Sequence, residues 1–308
     1  MGLHISLCYP AVDPSPWLAG LRALLPSATV TLWAPGAARA DYGVVWAPPQ
    51  QFIDEQTQLK ALFNIGAGVD KLLQLRLPAG LAVVRLDDAG MAVQMAEYVC
   101  HALIRHYRAF DAYEQQARAG QWLQRAPRAR SDFPVGIMGL GVLGQRVAQA
   151  VQHFGFPVLG WSRAPRPVPG VRGFAGTAAL DAFLASTRVL VCLLPLTPDT
   201  RNILCRATLS RLQPGAYLIN VARGALLVED DLLALLDSGH VAGATLDVFQ
   251  TEPLAPGHAF WQHPRIHVTP HVSAQTLEID SLSQIAGKIQ ALERGESVSG
   301  VVDRVRGY

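Results

Sequence analysis

The stretch VGIMGLGVLGQRVAQAV, running from Val135 to Val151, decides the fold. Val135–Met138 reads as a buried strand, Gly139, Gly141 and Gly144 as a turn, and the residues beyond as a helix that opens at once. The first glycine permits the tight turn, the second lets backbone approach a pyrophosphate, and the third lets helix pack closely on strand. The helix N-terminus presents unpaired N–H groups and the positive end of its dipole to that phosphate, so Val142 and Leu143 join the glycines as candidate contacts. In most dinucleotide folds this unit opens the chain. Here well over a hundred residues precede it, so the first part must fold as something else.

A chain of 308 residues, half of them apolar and only 16% charged, has material for about two domains with large cores. The net charge of +2 gives no electrostatic case for a nucleic acid or a membrane surface. Cys8, Cys100, Cys192 and Cys205 are scattered without a CxxC spacing, which suits reduced packing cysteines in a cytoplasmic protein. The longest clear apolar run, VLVCLLPL (189–196), is strand-sized and too short for a membrane span. The N-terminus has neither a basic region nor a cleavage site of the secretory kind. MGLHIS matches a myristoylation pattern at Gly2 and Ser6, but Leu3–Leu7 reads more naturally as the start of a buried strand.

Along the first part, LHISLCY, TVTLW, YGVVWA and ALFNIG read as strands, with helices at PSPWLAGLRALLP and around QFIDEQTQLK. That alternation implies a parallel sheet. A proline-free helical pattern follows from Met91 to Trp122, then an arginine-rich arm to Asp132. From Val135 the rhythm resumes with strands at VGIMG, PVLGWS, VLVCLLP, AYLINVA, GATLDVF and IHVTP, and DDLLALLDSG ends at a glycine cap, Gly239. TLEIDSLSQIAGKIQALERGE is one more amphipathic helix. Asp70 is expected to cap a helix at DKLLQL.

The residue ending the second strand of a dinucleotide fold meets the adenine ribose; an acid there favours NAD and an arginine NADP. Arg163 stands at that point, after Trp161 and Ser162, with Arg166 as a second charge. NADPH is therefore expected in preference to NADH. Polar residues also gather at the C-terminal ends of buried strands, the edge where open α/β sheets bind ligands: Arg223 after AYLINVA, Asp247 and Glu252 after GATL, and His271 behind Pro270. His263, His267 and His271 are spaced by four, but Pro264 and Pro270 forbid the regular helix a metal face would need, and no metal is expected.

With NIGAGVD (64–70), GLGVLG (139–144), LLPLTPDTR (193–201), NVARG (220–224), LDVFQTEP (246–253) and HPRIHVTPHVSA (263–274) in this order, the chain resembles the D-2-hydroxyacid dehydrogenase family over nearly its whole length. WAPPQ, DDAGMAVQMAEY and GWSR make it most similar to that family's glyoxylate/hydroxypyruvate reductase A type. The resemblance implies an α/β fold of two Rossmann-like and flavodoxin-like, doubly wound parallel-sheet domains with a cleft between them. It implies a discontinuous substrate domain at 1–98 plus 273–308 and a dinucleotide domain at 99–272. It also implies NADP-dependent reduction of a small 2-ketoacid, glyoxylate or hydroxypyruvate.

By that resemblance Arg223 grips the substrate carboxylate and polarises the keto oxygen, and His271 donates the proton. Glu252 accepts from the other ring nitrogen and favours the protonated ring. The implied coenzyme contacts also include Leu194 and Pro195 against the ring, Asp247 near its amide, and Thr200, Val221, Ala222 and Ser273. The two-glycine loop offers Ala67 and Gly68 amides to the substrate acid, with Trp46 and Met91 as pocket walls. The element at 91–130 resembles the family's dimer-forming segment. Two other readings of the same scaffold are a nucleotide-sensing corepressor and a dehydrogenase for another acid such as phosphoglycerate. The first would be expected to carry a long disordered tail and the second an added regulatory domain, and these 308 residues read as neither, which favours the reductase.

Overall fold

The computed structural model describes residues 2–10 and 13–308. Twelve strands occur among them: β1 (His4–Cys8), β2 (Thr29–Leu32), β3 (Tyr42–Val45), β4 (Ala61–Asn64), β5 (Ala82–Arg85), β6 (Val135–Met138), β7 (Val158–Ser162), β8 (Val171–Ala175), β9 (Val189–Cys192), β10 (Ala216–Asn220), β11 (Val241–Leu246) and β12 (Ile266–Val268). The helices are α1 (Ser15–Leu24), α2 (Gln50–Glu55), α3 (Met91–Tyr107), α4 (Phe110–Arg118), α5 (Val142–His153), α6 (Leu180–Ala185), α7 (Arg206–Leu209), α8 (Glu229–Asp237), α9 (Ala259–Gln262) and α10 (Glu278–Glu293). No helix of the described residues is long and apolar enough to cross a membrane.

The chain divides into two compact units, residues 1–90 with 276–308, and 91–275. The divisions fall eight and three residues from the expected 98/99 and 272/273. The reason at the first is that α3 is continuous from Met91, and its buried face (Met95, Ala96, Val99, Leu103) shares a core with Val147, Ala148 and Val151 of α5. At the second, the Gln94 side chain holds both backbone groups of Gln275, at 3.0 and 3.1 Å.

The first unit has a five-stranded parallel sheet in the order β2-β1-β3-β4-β5, the flavodoxin-like arrangement. Its central strands are buried along their length, as the continuous apolar runs required. β5 was not anticipated from sequence; it is a four-residue edge strand, covered by the C-terminal segment through Val302 N to Val83 O at 2.8 Å. The helix expected at DKLLQL is a single 3-10 turn, Leu72–Gln74, whose N-cap position is Lys71 rather than Asp70.

The second unit has a seven-stranded parallel sheet, β12-β11-β10-β9-β6-β7-β8. The order reverses between β6 and β9, which makes the C-terminal ends of those strands the ligand crevice of a doubly wound sheet. β8, also unanticipated, is the other edge, with no residue fully buried. The helical pattern from Met91 to Trp122 is not one helix. Ala109 takes a left-handed φ of 53° and separates α3 from α4, and Arg105 folds the two together by pairing with Asp111 and Glu114 at 2.6 and 2.7 Å. The stretch from Gly120 to Ser131 is exposed throughout, with Trp122 at 92%.

Cys8, Cys100 and Cys192 are buried packing residues, their thiols pushed up by burial to about 11, 11 and 12. His106, on α3, stacks on Tyr217 of β10 with 4.1 Å between ring centres and 21° between planes. Burial pushes its pKa down to about 4, and the Arg128 and Arg188 cations add to the effect. The folded protein therefore keeps His106 neutral while the unfolded chain takes up a proton near pH 6.5. Stability conferred above that pH is lost as pH falls from about 6.5 toward 4, at up to about 1.4 kcal/mol per unit. His106→Phe is expected to flatten this acid limb in urea unfolding at pH 7.5, 6 and 5; an unchanged slope would assign it to another group.

Candidate functional site

The glycine turn sits at the end of β6, beside the start of the β9 loop. Gly139 has φ +102°, and a Cβ there would lie 2.8 Å from the Leu193 carbonyl oxygen. A Cβ on Gly144 would lie 1.9 Å from the Gly139 carbonyl oxygen. Both positions are closed to any side chain. Gly141 is different. It is the N-cap of α5 with an ordinary φ of −69°, and a Cβ on it would meet nothing within 4 Å. The chain's own geometry does not require glycine there, and the space beside it is open. The first amides of α5, at Val142 and Leu143, open beside it with no intrahelical acceptor.

Arg163 follows β7 directly and is exposed, with no acidic residue at the strand end. Arg166, nearby, donates through Nη1 to the Leu140 carbonyl at 3.0 Å, which ties the basic segment to the glycine turn. Ser162 Oγ donates to the Ala164 carbonyl at 2.7 Å. Trp161 is buried; its indole donates to the Gly176 carbonyl at 2.9 Å, and its own carbonyl receives the Gly139 amide at 2.9 Å. After β9, Leu194 is buried and Pro195 half-buried, and the Thr200 hydroxyl closes their loop on the Pro195 carbonyl at 2.6 Å.

Three neighbouring strands, β10, β11 and β12, deliver Arg223, Glu252 and His271. His271 Nδ1 is 2.9 Å from Glu252 Oε2. The other oxygen of Glu252 accepts the Phe249 amide at 3.0 Å. A carboxylate only accepts, so Nδ1 carries the hydrogen and Nε2 is the nitrogen turned outward. Arg223 is half-buried, and its Nη1 donates to the Ala222 carbonyl at 2.7 Å, between the buried Val221–Ala222 pair and Gly224. A Cβ on Gly224 would fall 1.8 Å from the Phe249 carbonyl carbon, so the loop carrying Arg223 lies directly on the loop carrying Glu252. Gln250 fastens that second loop, donating to the Leu227 carbonyl at 2.8 Å and, through its amide, to Glu229 at 3.3 Å.

Beneath these residues lies a hydrogen-bonded frame that sequence reading did not find. Buried Asn220 receives the Ala222 amide at 3.3 Å and donates to the Arg223 carbonyl at 3.2 Å. Its own carbonyl takes the Asp247 amide at 3.0 Å, and the Asp247 carbonyl takes the His271 amide at 2.8 Å. Asp247 was expected beside the coenzyme amide. Its side chain has no exposed surface, with Oδ1 accepting from Thr269 Oγ1 and the Val272 amide and Oδ2 from the Ser273 amide. The signal for Asn220 was a lone amide at the end of an otherwise apolar strand. The three histidines spaced by four are paired with three different carboxylates: His263 with Asp237, His267 with Asp111 and His271 with Glu252.

In the first unit, the turn after β4 holds Ala67 and Gly68 half-buried, shaped by the Asn64 side chain donating to the Gly66 and Gly68 carbonyls at 3.2 and 3.0 Å. The Trp46 ring lies over Gly66, where a Cβ would be 2.7 Å from it, and is 39% exposed. Met91, expected as a pocket wall, is 4% exposed and buried in the first turn of α3.

The profile of the D-isomer specific 2-hydroxyacid dehydrogenase NAD binding domain matches residues 100–273. A glyoxylate/hydroxypyruvate reductase A from Serratia proteamaculans is 47% identical over 313 residues, covering 99% of this chain and all of that one. A D-isomer specific 2-hydroxyacid dehydrogenase from Xanthobacter autotrophicus, solved with NADPH and MES, superposes with a TM-score of 0.93 at 39% identity, covering 100% of this chain and 99% of that one. An NADPH-dependent glyoxylate/hydroxypyruvate reductase from Sinorhizobium meliloti, solved with NADP and sulfate, gives a TM-score of 0.92 at 37% identity over 99% of this chain and 100% of that one. With strand order, glycine turn and an Arg–Glu–His set on adjoining strand ends all agreeing, this chain belongs to the D-isomer specific 2-hydroxyacid dehydrogenase family.

Proposed function

We propose that this chain reduces a small 2-ketoacid with NADPH, glyoxylate to glycolate or hydroxypyruvate to D-glycerate. The observation that carries the reading is the His271–Glu252 pair at 2.9 Å, on the strand ends that also carry Arg223. The relatives named for this activity, and the related structures solved with NADPH or NADP, support the substrate class and the coenzyme.

The residues present suit the coenzyme. The open space at Gly141 and the first amides of α5 receive its pyrophosphate, and Arg163 with Ser162 meets the 2′-phosphate, where an acid would repel it. Leu194, Pro195, Thr200, Val221, Ala222 and Ser273 complete its surroundings. NADPH supplies the hydride when bound. Arg223 holds the substrate carboxylate and polarises the keto oxygen through its planar set of N–H donors. His271 gives that oxygen the proton held at Nε2, while Glu252 fixes the ring's orientation and stabilises its charge through Nδ1. The Ala67 and Gly68 amides bind the acid group, and Trp46 limits its length. The protein acts in the cytoplasm, in keeping with its four free cysteines, as a homodimer formed through the 91–130 segment.

Initial rates with NADPH and NADH against glyoxylate, hydroxypyruvate and pyruvate test the reading. Turnover is expected with NADPH and the first two acids; no turnover with any pair would end it. His271→Asn should keep NADPH affinity and lose about 10³-fold in kcat, so retained turnover would remove His271 as the acid. Arg163→Asp should weaken NADPH at least about tenfold more than NADH, and equal losses would exclude the 2′-phosphate contact.

The glycines separate fold from binding. Gly144→Ala is expected to lower stability by about 2 kcal/mol or more. Gly141→Ala should leave the melting temperature unchanged and weaken NADPH about tenfold or more. A stable Gly144→Ala protein, or unaltered coenzyme binding by Gly141→Ala, would contradict these roles.

A further inference from the structure

Tyr98 projects from α3, an element that contributes nothing to the proposed chemistry. Its hydroxyl lies 2.5 Å from Thr269 Oγ1, and that oxygen in turn donates to Asp247 Oδ1 at 2.5 Å. Thr269 therefore has its single proton committed to the carboxylate and accepts from Tyr98. Burial pushes the Tyr98 hydroxyl up to about 12 despite the Thr269 hydrogen bond, so it remains a donor across the working pH range. Asp247 thus grips the chain on both sides of His271: through the Thr269 hydroxyl before it, and through the Val272 and Ser273 amides after it at 2.8 Å each.

His271 itself needs that grip. It has a left-handed φ of 55°, and its amide is held by the Asp247 and Thr269 carbonyls at 2.8 and 3.1 Å. A non-glycine residue keeps such a conformation only where its surroundings over-determine it. We propose that Thr269 and Tyr98 are positioning residues for His271, acting through the buried Asp247 carboxylate. The hydroxyl pair sets the turn that aims the ring, and neither residue touches the substrate. The inference rests on the ketoacid-reductase reading for its kinetic consequence and on hydrogen bonding alone for its structural one.

Thr269→Val removes the hydroxyl and keeps the shape. It is expected to lower kcat for the accepted ketoacid about 10²-fold, the scale of a 1 Å misplacement, with NADPH affinity intact and KM changed little. Thr269→Ser should restore most of the rate. Tyr98→Phe should lose about tenfold, one hydrogen bond's worth. The second readout needs no turnover: imidazole 15N signals of His271, assigned by their loss in His271→Asn, should show a weakened Nδ1 hydrogen bond in Thr269→Val and not in Thr269→Ser. Unchanged kcat in both hydroxyl deletions, a loss that serine does not rescue, or an unperturbed His271 ring would overturn the proposal. If Thr269→Val does not fold, Tyr98→Phe carries the test. If the wild type turns over no ketoacid, the reductase reading has failed and the imidazole signals alone decide the positioning role.

Discussion

A carboxylate with no exposed surface is the constraint on which the site depends. Burying an unpaired charge costs several kcal/mol, a large share of a protein's net stability, so Asp247 is tolerable only because donors surround it. Those donors are the Thr269 hydroxyl and two consecutive backbone amides, and two amides converge on one side chain only if the chain bends sharply. The bend places His271 at its apex. The buried charge and the exposed imidazole are therefore one device. Satisfying the first dictates the backbone of the second, and the Glu252 contact then fixes the ring's rotation.

The same economy of connection joins the arginine to the histidine. Asn220, Asp247 and His271 follow one another across adjacent strand ends through main-chain hydrogen bonds, with the Asn220 amide reaching the Arg223 carbonyl. Gly224 removes the remaining slack, since any side chain there would strike the Phe249 carbonyl. Arg223, Glu252 and His271 come from loops, three, six and three residues beyond strands of a parallel sheet, and the loops are tied back by the hydrogen bonds above. That is the arrangement proton transfer demands, because donor and acceptor must meet within a few tenths of an ångström.

Much of this was legible because the governing physics is local. The strands that form the middle of each sheet are buried on both faces and read as continuous apolar runs, and the glycine turn carries its geometry in its own spacing. Arg223, Glu252 and His271 stood out as polar residues at the ends of such runs. What escaped reading was long-range. β5 and β8 lie at sheet edges, where a short strand needs no distinctive pattern. Ala109 is a good helix former, and nothing beside it announces a left-handed turn; the ion pairs of Arg105 with Asp111 and Glu114 do so only in three dimensions. Asp247 was read at its strand end, but its buried partners Thr269, Val272 and Ser273 lie 22 to 26 residues away, beyond any local pattern.

Tyr98 is the extreme case, 171 residues from the threonine it touches. Its place on α3 has a further consequence. α3 is packed on α5, whose first turn is the proposed pyrophosphate site, while its Tyr98 hydroxyl reaches the turn of the proposed proton donor. One helix therefore braces both ends of the chemistry within the second unit, the anion site through apolar contact and the acid through a hydroxyl chain. A left-handed residue and a buried charge each carry a cost in free energy. Their coincidence at a single turn, supported from an element that could have been purely apolar, is explained if the orientation of the His271 ring is what the arrangement maintains.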